Sequence, residues 1–354
     1  MSGPAGPRED AHPQAEGAGA QGIDWDRFVE SSSNPAYPQL SAWAEVKRPN
    51  GWRAARLRGS DADAPGVQVL LHDLGPTPWR VGYAPRGPVG RDFAAARVAE
   101  LTEQVRRLAS EERLSHVTID PEIEKPHPLS DALRSTGWRP ARPIQPDRSR
   151  IVDLTAPEES LWSDLRGKWR QYVQKARRAG VAIVDADASG LDDFFRIYVE
   201  TARRAGFVHR AESAYRRTFE CFSREGRARL LFATLDGERV ATLMLLHCGP
   251  RVIEPYGGMT DRAAESRANY LLKWEAIRSS QERGFAVYDM WGLAHPGIEH
   301  FKAGFGGREV SYIGAWELVT VAPVRFAMGV AQRVRVGLAR RLQGVGDAVS
   351  GDAG

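Results

Sequence analysis

The run Ala286-Val287-Tyr288-Asp289-Met290-Trp291-Gly292 is apolar, meets an acid near its end and stops at a glycine. Such a run predicts a short buried strand. A long helical pattern, residues 264–283, comes before it. Three strand-like runs, 228–235, 240–247 and 251–257, come before the helix. Reading outward toward the N-terminus, the same order occurs once more. Strand-like runs at 54–58, 67–72 and 80–84 precede a helix over 93–109, whose Val98, Leu101, Val105 and Leu108 recur at three- and four-residue steps. His116-Val117-Thr118-Ile119-Asp120 then reads as a buried strand ending in an acid. The order of strands, long helix and strand ending in Asp therefore appears twice, which predicts two similar α/β halves and no solenoid.

The remaining segments fit around this frame. Residues 129–134 predict a short helix and 151–154 a strand that ends the first half. In the second half, 161–178 is helical, 181–184 is a short strand, and helices follow over 191–204 and 213–224. The expected divisions are a tail over 1–22, a first domain over 23–155, a second over 156–320, a basic amphipathic helix over 321–343 and a tail over 344–354. Residues 1–22, rich in Gly, Ala, Pro and Glu, lack the large apolar groups that would offset their ordering entropy, and are expected to be disordered.

With 354 residues, 42% hydrophobic, the chain has ample material for two cores. A net charge of +4 does not announce a nucleic-acid binder, so only local clustering could make one. Two cysteines, Cys221 and Cys248, exclude a disulfide framework, and a zinc site is not expected. No signal-like N-terminus and no apolar run near the ~20 residues of a membrane span is present. The expected location is cytoplasmic.

Several segments carry chemistry. Gly17, Gly19 and Gly22 match a dinucleotide-binding glycine pattern, but no strand precedes them, so the match fails its context. The pyrophosphate loop of CoA-dependent acetyltransferases finds no convincing counterpart. Residues 166–178 carry Arg166, Lys168, Arg170, Lys175, Arg177 and Arg178 without an acid, interleaved with Trp169 and Tyr172. That combination suits phosphates and bases, though a solvated surface face is the plainer reading. The stripe of Val324, Met328, Ala331, Val334, Leu338 and Leu342 either docks on the core or lies on an anionic membrane. After the Asp289 strand, Lys302 stands among Phe301, Gly304 and Phe305. A partly desolvated Lys makes a strong local charge for an oxyanion, and a snorkelling surface Lys is the bland alternative. Tyr256-Gly257-Gly258 reads as a tight turn or as a close approach to a ligand.

Taken in order, the segments resemble the Fem family of peptidoglycan bridge-forming aminoacyltransferases. The resemblance rests on the run 39–47 closed by Gly51-Trp52, on Tyr83 with Arg86-Gly87-Pro88, and on Asp120-Pro121-Glu122. It continues through Lys168-Trp169-Arg170, Lys175 to Val181, 201–210 and Tyr256-Gly257-Gly258. Tyr288-Asp289-Met290-Trp291-Gly292 and Phe301-Lys302 with Gly304-Phe305-Gly306-Gly307 complete it. It covers roughly residues 25 to 320.

The resemblance implies two tandem N-acetyltransferase-like (GNAT) domains of α/β (α+β) class, in the FemX-type architecture that lacks a coiled-coil arm. It implies an aminoacyl-tRNA donor, and lipid II or UDP-MurNAc-pentapeptide as acceptor through the side-chain amine of the third stem residue. Glycine is the first expectation for the transferred group, otherwise Ala or Ser. By resemblance Lys302 supplies positive charge, Phe301 places the tRNA end and Asp120 orients or deprotonates the amine. Lys47, Trp43, Arg86, Arg210, Tyr215, Tyr256 and Asp289 hold the acceptor, and Lys168, Arg170, Lys175, Arg177 and Arg178 hold the tRNA. No cofactor and no metal is implied. A tRNA-dependent peptide ligase of secondary metabolism, a CoA-dependent N-acyltransferase and a non-catalytic RNA- or membrane-binding module are the rival expectations.

Overall fold

A computed structural model describes residues 24–293 and 296–331. In the described residues the strands are β1 (Arg53–Arg58), β2 (Gly66–Asp73), β3 (Arg80–Ala84), β4 (Leu114–Ile119), β5 (Arg139–Pro140), β6 (Arg148–Asp153), β7 (Ala182–Ala186), β8 (Ala228–Leu235), β9 (Glu238–Cys248), β10 (Arg251–Met259), β11 (Val287–Asp289), β12 (Arg308–Ser311) and β13 (Trp316–Val319). They form two sheets. One has the order β1-β2-β3-β4-β13-β5 and the other β12-β6-β11-β10-β9-β8-β7.

Each sheet contains one parallel pair joined by a long helix. In the first, Ala95–Glu111 connects β3 to β4 and buries Val98, Leu101, Val105 and Leu108 along one stripe, as the spacing predicts. In the second, Ala268–Glu282 connects β10 to β11 and is buried nearly all round, so its apolar residues show little sidedness. The two expected α/β halves are thus present.

The halves are not cut cleanly at residue 155. β6, expected to end the first half, instead lies between β11 and β12 of the second sheet. β13 returns to the first sheet and inserts between β4 and β5. Alternation of apolar residues sets which face of a strand is buried but not which strand it pairs with, so this exchange had no local signal.

Two expected helices are also broken. The 161–178 helix is two, Glu158–Asp164 and Gly167–Arg178, because Leu165 is extended. The 264–283 helix is preceded by a short one, Asp261–Ser266, and Arg267 between them is left-handed with φ 66°. Residues 296–303, which carry Phe301 and Lys302, form a helix. The C-terminal helix is described only over 322–331, where Val324 and Met328 are half-buried and Ala331 is exposed. The expected tails and the remainder of that helix lie outside the described residues.

The N-terminal segment ties the sheets together. Trp25, Phe28, Tyr37, Leu40 and Trp43 pack in one cluster with Leu70 of the first sheet and with Phe222, Leu246 and Ile253 of the second half. Fully burying one such side chain contributes about 1.5–3 kcal/mol, so this wedge is a substantial joint.

Candidate active site

The second parallel pair opens where the first stays closed. β10 and β11 are in register only at Arg251↔Val287, Val252↔Tyr288 and Ile253↔Asp289. A bulge in β10 between Ile253 and Tyr256 then bends it away. The gap widens into a cleft of about 560 Å³, lined by Glu254 and Gly258 from β10, Trp291 and Gly292 beyond β11, and Phe301 and Lys302. Gly257 and Gly258 lie inside β10, so the reading of them as a tight turn does not hold. A Cβ on Gly258 would lie 2.8 Å from Thr201 Oγ1 and 3.1 Å from the Ile197 carbonyl oxygen, so glycine here lets helix Leu191–Ala205 press on the strand.

Lys302 stands on the floor of this cleft. Its Nζ donates to the main-chain oxygens of Trp291 and Gly292, the latter at 2.7 Å. Burial, reinforced by nearby Lys273, lowers its pKa to about 8, against the opposing pull of Glu254 and Asp289. Lys273 itself is buried and ion-paired with Glu254, which also accepts from Tyr288 Oη at 2.6 Å. The helix that carries Lys302 is pinned by Trp169, whose Nε1 donates to the Phe301 oxygen at 3.0 Å. Gly304 is required by that contact, since a Cβ there would fall 2.3 Å from the Trp169 ring. Phe301 faces Tyr270 with ring centroids 5.2 Å apart, so it forms part of the aromatic wall.

The acceptor residues expected from sequence divide into two groups. Lys47, Trp43, Arg210, Tyr215 and Tyr256 come together. Lys47 Nζ lies 4.7 Å from the Trp43 ring centroid. Its pKa is lowered to about 8 by burial and by the charge of Arg210. The Tyr215 hydroxyl accepts from the Arg210 backbone N–H at 3.0 Å, and its ring meets Tyr256 edge-on at 5.0 Å. Two cations and three hydroxyl-bearing rings, counting Tyr37, thus converge from both halves, which suits an oxygen-rich anion. Tyr37, which sequence reasoning missed, packs on Trp43 at 5.4 Å and Trp291 at 5.7 Å. Burial raises its pKa, with a further push from Tyr256.

Arg86, Asp289 and Asp120 are corrections. Arg86 is 2% exposed. Its guanidinium pairs with Glu122 at 3.1 Å and donates to the Pro146 oxygen at 2.9 Å. Asp289 is 0% exposed and accepts from Ser149 Oγ, Arg251 Nη2 and, at 2.7 Å, the Trp291 N–H. Arg251 also reaches Glu122 at 2.8 Å. These are members of one buried charge network between the sheets, and their side chains have no free face for an acceptor. Asp120 is 4% exposed and accepts from Tyr83 Oη at 2.8 Å and the Arg86 N–H at 2.6 Å. Burial raises its pKa to about 6 even though Arg86 opposes the shift. It orients Tyr83 and Arg86 and does not line the Lys302 cleft. A strand-end acid looks the same in sequence whether it faces a substrate or a buried arginine.

The basic helix Gly167–Arg178 also divides. Arg170 caps the preceding helix, donating to the Ser163 oxygen at 2.6 Å. Arg177 pairs with Glu275 at 2.8 Å. Lys168, Lys175 and Arg178 are exposed. Residues 168 and 175 are seven apart and share a face, bordered by Arg178 and Tyr172. Arg267 extends that face, 4.6 Å from the Tyr172 ring centroid. Of the five residues expected to meet RNA, Arg170 and Arg177 are thus engaged within the protein, and Arg267, which sequence reasoning missed, stands beside the face of the other three. Among the described residues, no group of three His, Cys, Asp or Glu side chains is placed to hold a metal ion. No described helix is long and apolar enough to cross a membrane.

Residues 163–303 match the family model described as an acetyltransferase (GNAT) domain. The lipid II:glycine glycyltransferase of Staphylococcus haemolyticus is 26% identical over 228 residues, 61% of this chain and 54% of that protein. Its counterpart in Staphylococcus aureus strain MRSA252 is 27% identical over 223 residues, 60% and 53% of the two chains. The match thus spans about half the length of these curated relatives. Among solved structures, FemX superposes with a TM-score of 0.80 at 19% identity, covering 86% of this chain and 97% of that one. A tandem GNAT protein from the clavulanic acid biosynthesis pathway gives 0.53 at 12% identity, covering 86% and 96%. In fold the chain is a mixed α/β protein of two GNAT-like units in tandem, and in sequence and architecture together it resembles the Fem family of peptidoglycan bridge-forming aminoacyltransferases, in its FemX-type form.

Proposed function

We propose that this protein transfers an aminoacyl group, glycyl in the first instance, from an aminoacyl-tRNA to the side-chain amine of the third stem-peptide residue of lipid II or its UDP-linked precursor. The observation that carries the reading is Lys302, an ammonium held on two main-chain oxygens at the floor of the β10–β11 cleft. The glycyl preference takes support from the glycyltransferase relatives. The two domains are taken as 23–155 and 156–320 with β6 and β13 exchanged.

The reaction is aminolysis of an ester. The acceptor nitrogen attacks the carbonyl carbon, and positive charge from Lys302 stabilises the developing oxyanion. The bond from that carbon to the ribose oxygen then breaks. A pKa of about 8 keeps Lys302 mostly protonated at neutral pH yet able to pass its proton to the leaving oxygen. The proton lost by the attacking amine passes to Lys302, which regains its charge. Phe301 and Tyr270 offer an aromatic wall for the RNA end, while Lys168, Lys175 and Arg178 meet its phosphates. Lys47, Arg210, Tyr215, Tyr256 and Trp43 hold the acceptor's diphosphate and sugar, leaving Asp120 to fix Tyr83. Exposed Phe326 and Val330 support a peripheral contact with the cytoplasmic membrane face, where lipid II is anchored.

The test is a transfer assay with total tRNA charged with one labelled amino acid at a time, given lipid II or UDP-MurNAc-pentapeptide. RNase-sensitive label on the stem peptide is the expected result. Absence of transfer to either precursor by folded, tRNA-binding protein would overturn the acceptor assignment.

A further inference from the structure

Both hydrogen bonds of Lys302 Nζ go to carbonyl oxygens of consecutive residues, Trp291 and Gly292. Two successive carbonyls can face one ammonium here because the chain turns back on itself. Trp291 has φ 54° and Gly292 φ 38°, both left-handed. Glycine adopts this conformation freely, whereas a residue with a Cβ resists it. Three contacts hold Trp291 there. Its N–H donates to Asp289 Oδ1 at 2.7 Å. The Arg86 guanidinium lies 4.6 Å from its ring centroid, and the Tyr37 ring centroid lies 5.7 Å from it. Arg86 and Tyr37 come from the first half of the chain, and Lys302 belongs to the second.

We propose that Trp291 is a positioning residue for the transfer: its ring, clamped by Arg86 and Tyr37, holds a left-handed turn whose two carbonyl oxygens fix the Lys302 ammonium in the cleft. The proposal rests on the reading of Lys302 as the charge that acts on the ester. It also explains why buried Arg86 and Asp289 occur in the same motif series as Lys302, since each touches Trp291 and neither faces the cleft.

Three variants test it: Trp291→Phe, Trp291→Ala and Trp291→Gly. Two readouts are taken on the full chain. One is kcat. The other is the pH dependence of Lys302 acylation by a small amine-directed reagent, read by peptide mapping, which needs no turnover. The charged groups facing Lys302 are Lys273, Glu254 and Asp289, and all three are unchanged in these variants. Trp291→Phe keeps a ring in the clamp and is expected to retain both properties. Trp291→Ala keeps the Cβ penalty without the clamp, so Lys302 loses its two acceptors and swings into water; kcat falls and, with burial relieved, the acylation midpoint rises from about 8 toward the ordinary lysine value. Trp291→Gly removes the penalty as well and is expected to recover about fivefold or more in kcat over Trp291→Ala, although it deletes more of the side chain. Ring packing alone would make Gly no better than Ala. Trp291→Gly with kcat at or below and a midpoint at or above those of Trp291→Ala, or an unmoved midpoint in Trp291→Ala, overturns the proposal. If wild-type protein transfers nothing while the midpoints move as stated, the positioning role stands and the assigned reaction fails.

Discussion

The two parallel strand pairs share a connectivity and differ in outcome. β3 and β4 remain paired as far as Ala84↔Ile119, and the carboxylate of Asp120 then accepts the N–H of Arg86 from the neighbouring strand's extension at 2.6 Å. That bond crosses the gap and closes it. At the matching place in the second half, Asp289 accepts the N–H of Trp291, two residues along its own chain. That bond is local, the gap stays open, and the cleft with Lys302 forms there. One tandem fold thus yields a clamp in one half and an open cleft in the other, according to whether the strand-end acid takes its backbone N–H from the neighbouring strand's extension or from its own chain.

The largest test of this contrast is Lys302→Met. We expect kcat to fall about 10²–10³-fold, the scale for removing one preorganised charge, with acceptor affinity retained. In the wild type, kcat should decline as pH rises through about 8 and Lys302 loses its proton. Steady-state kinetics across pH checks both, and unchanged turnover in the variant would leave the open half without a catalytic cation. Next in size, Lys168→Gln, Lys175→Gln and Arg178→Gln combined should lower tRNA affinity by about two log units at 0.1 M salt and flatten the salt dependence by about 2. Arg177→Gln should leave that slope alone, because Arg177 is engaged with Glu275. Fluorescence titrations at several salt concentrations decide between the two faces of the helix.

Smaller still, Lys47→Met should raise the acceptor KM about tenfold, equivalent to about 1.4 kcal/mol, without changing kcat. Because Lys47 also titrates near 8, the wild-type KM should rise above that pH while the Lys302 effect appears in kcat. The smallest kinetic effect is expected from Asp120→Ala, which leaves the Arg86 N–H without its acceptor. It should cost about 1–3 kcal/mol in denaturant unfolding and little in turnover. In the wild type the Asp120 carboxyl holds its proton more tightly when folded, at about 6, than its ordinary 3.8. Its contribution to stability is therefore full below 3.8 and is lost as pH rises through about 6, a slope that Asp120→Ala should remove.

Much of this was legible in sequence because it is local. Apolar spacing located both long helices, and the lysine between Phe301 and Gly304 marked the cleft. What escaped depended on distant partners. Arg86 and Asp289 were read as substrate contacts because nothing near them in sequence shows that Glu122 and Arg251 neutralise them. Lys273 left a trace that went unused: it interrupts the buried run of Leu271, Leu272 and Trp274, and a lysine within an apolar helix face needs a partner. Tyr37 left none, since an aromatic after a short loop is ordinary core in most settings. The bond between Glu254 and Tyr288 joins positions 34 apart and became visible only when β10 and β11 were set side by side.

The crossing of β13 into the first sheet has a consequence for how the protein is made. Trp316 and Leu318 belong to the first half's core, and β13 is the strand that joins β4 to β5. On the ribosome, β4 emerges about two hundred residues before the strand that covers its edge, so that edge must wait through synthesis of the entire second half. The half translated first is therefore the half finished last, and the cleft-bearing half has all its strands in hand before its neighbour can close.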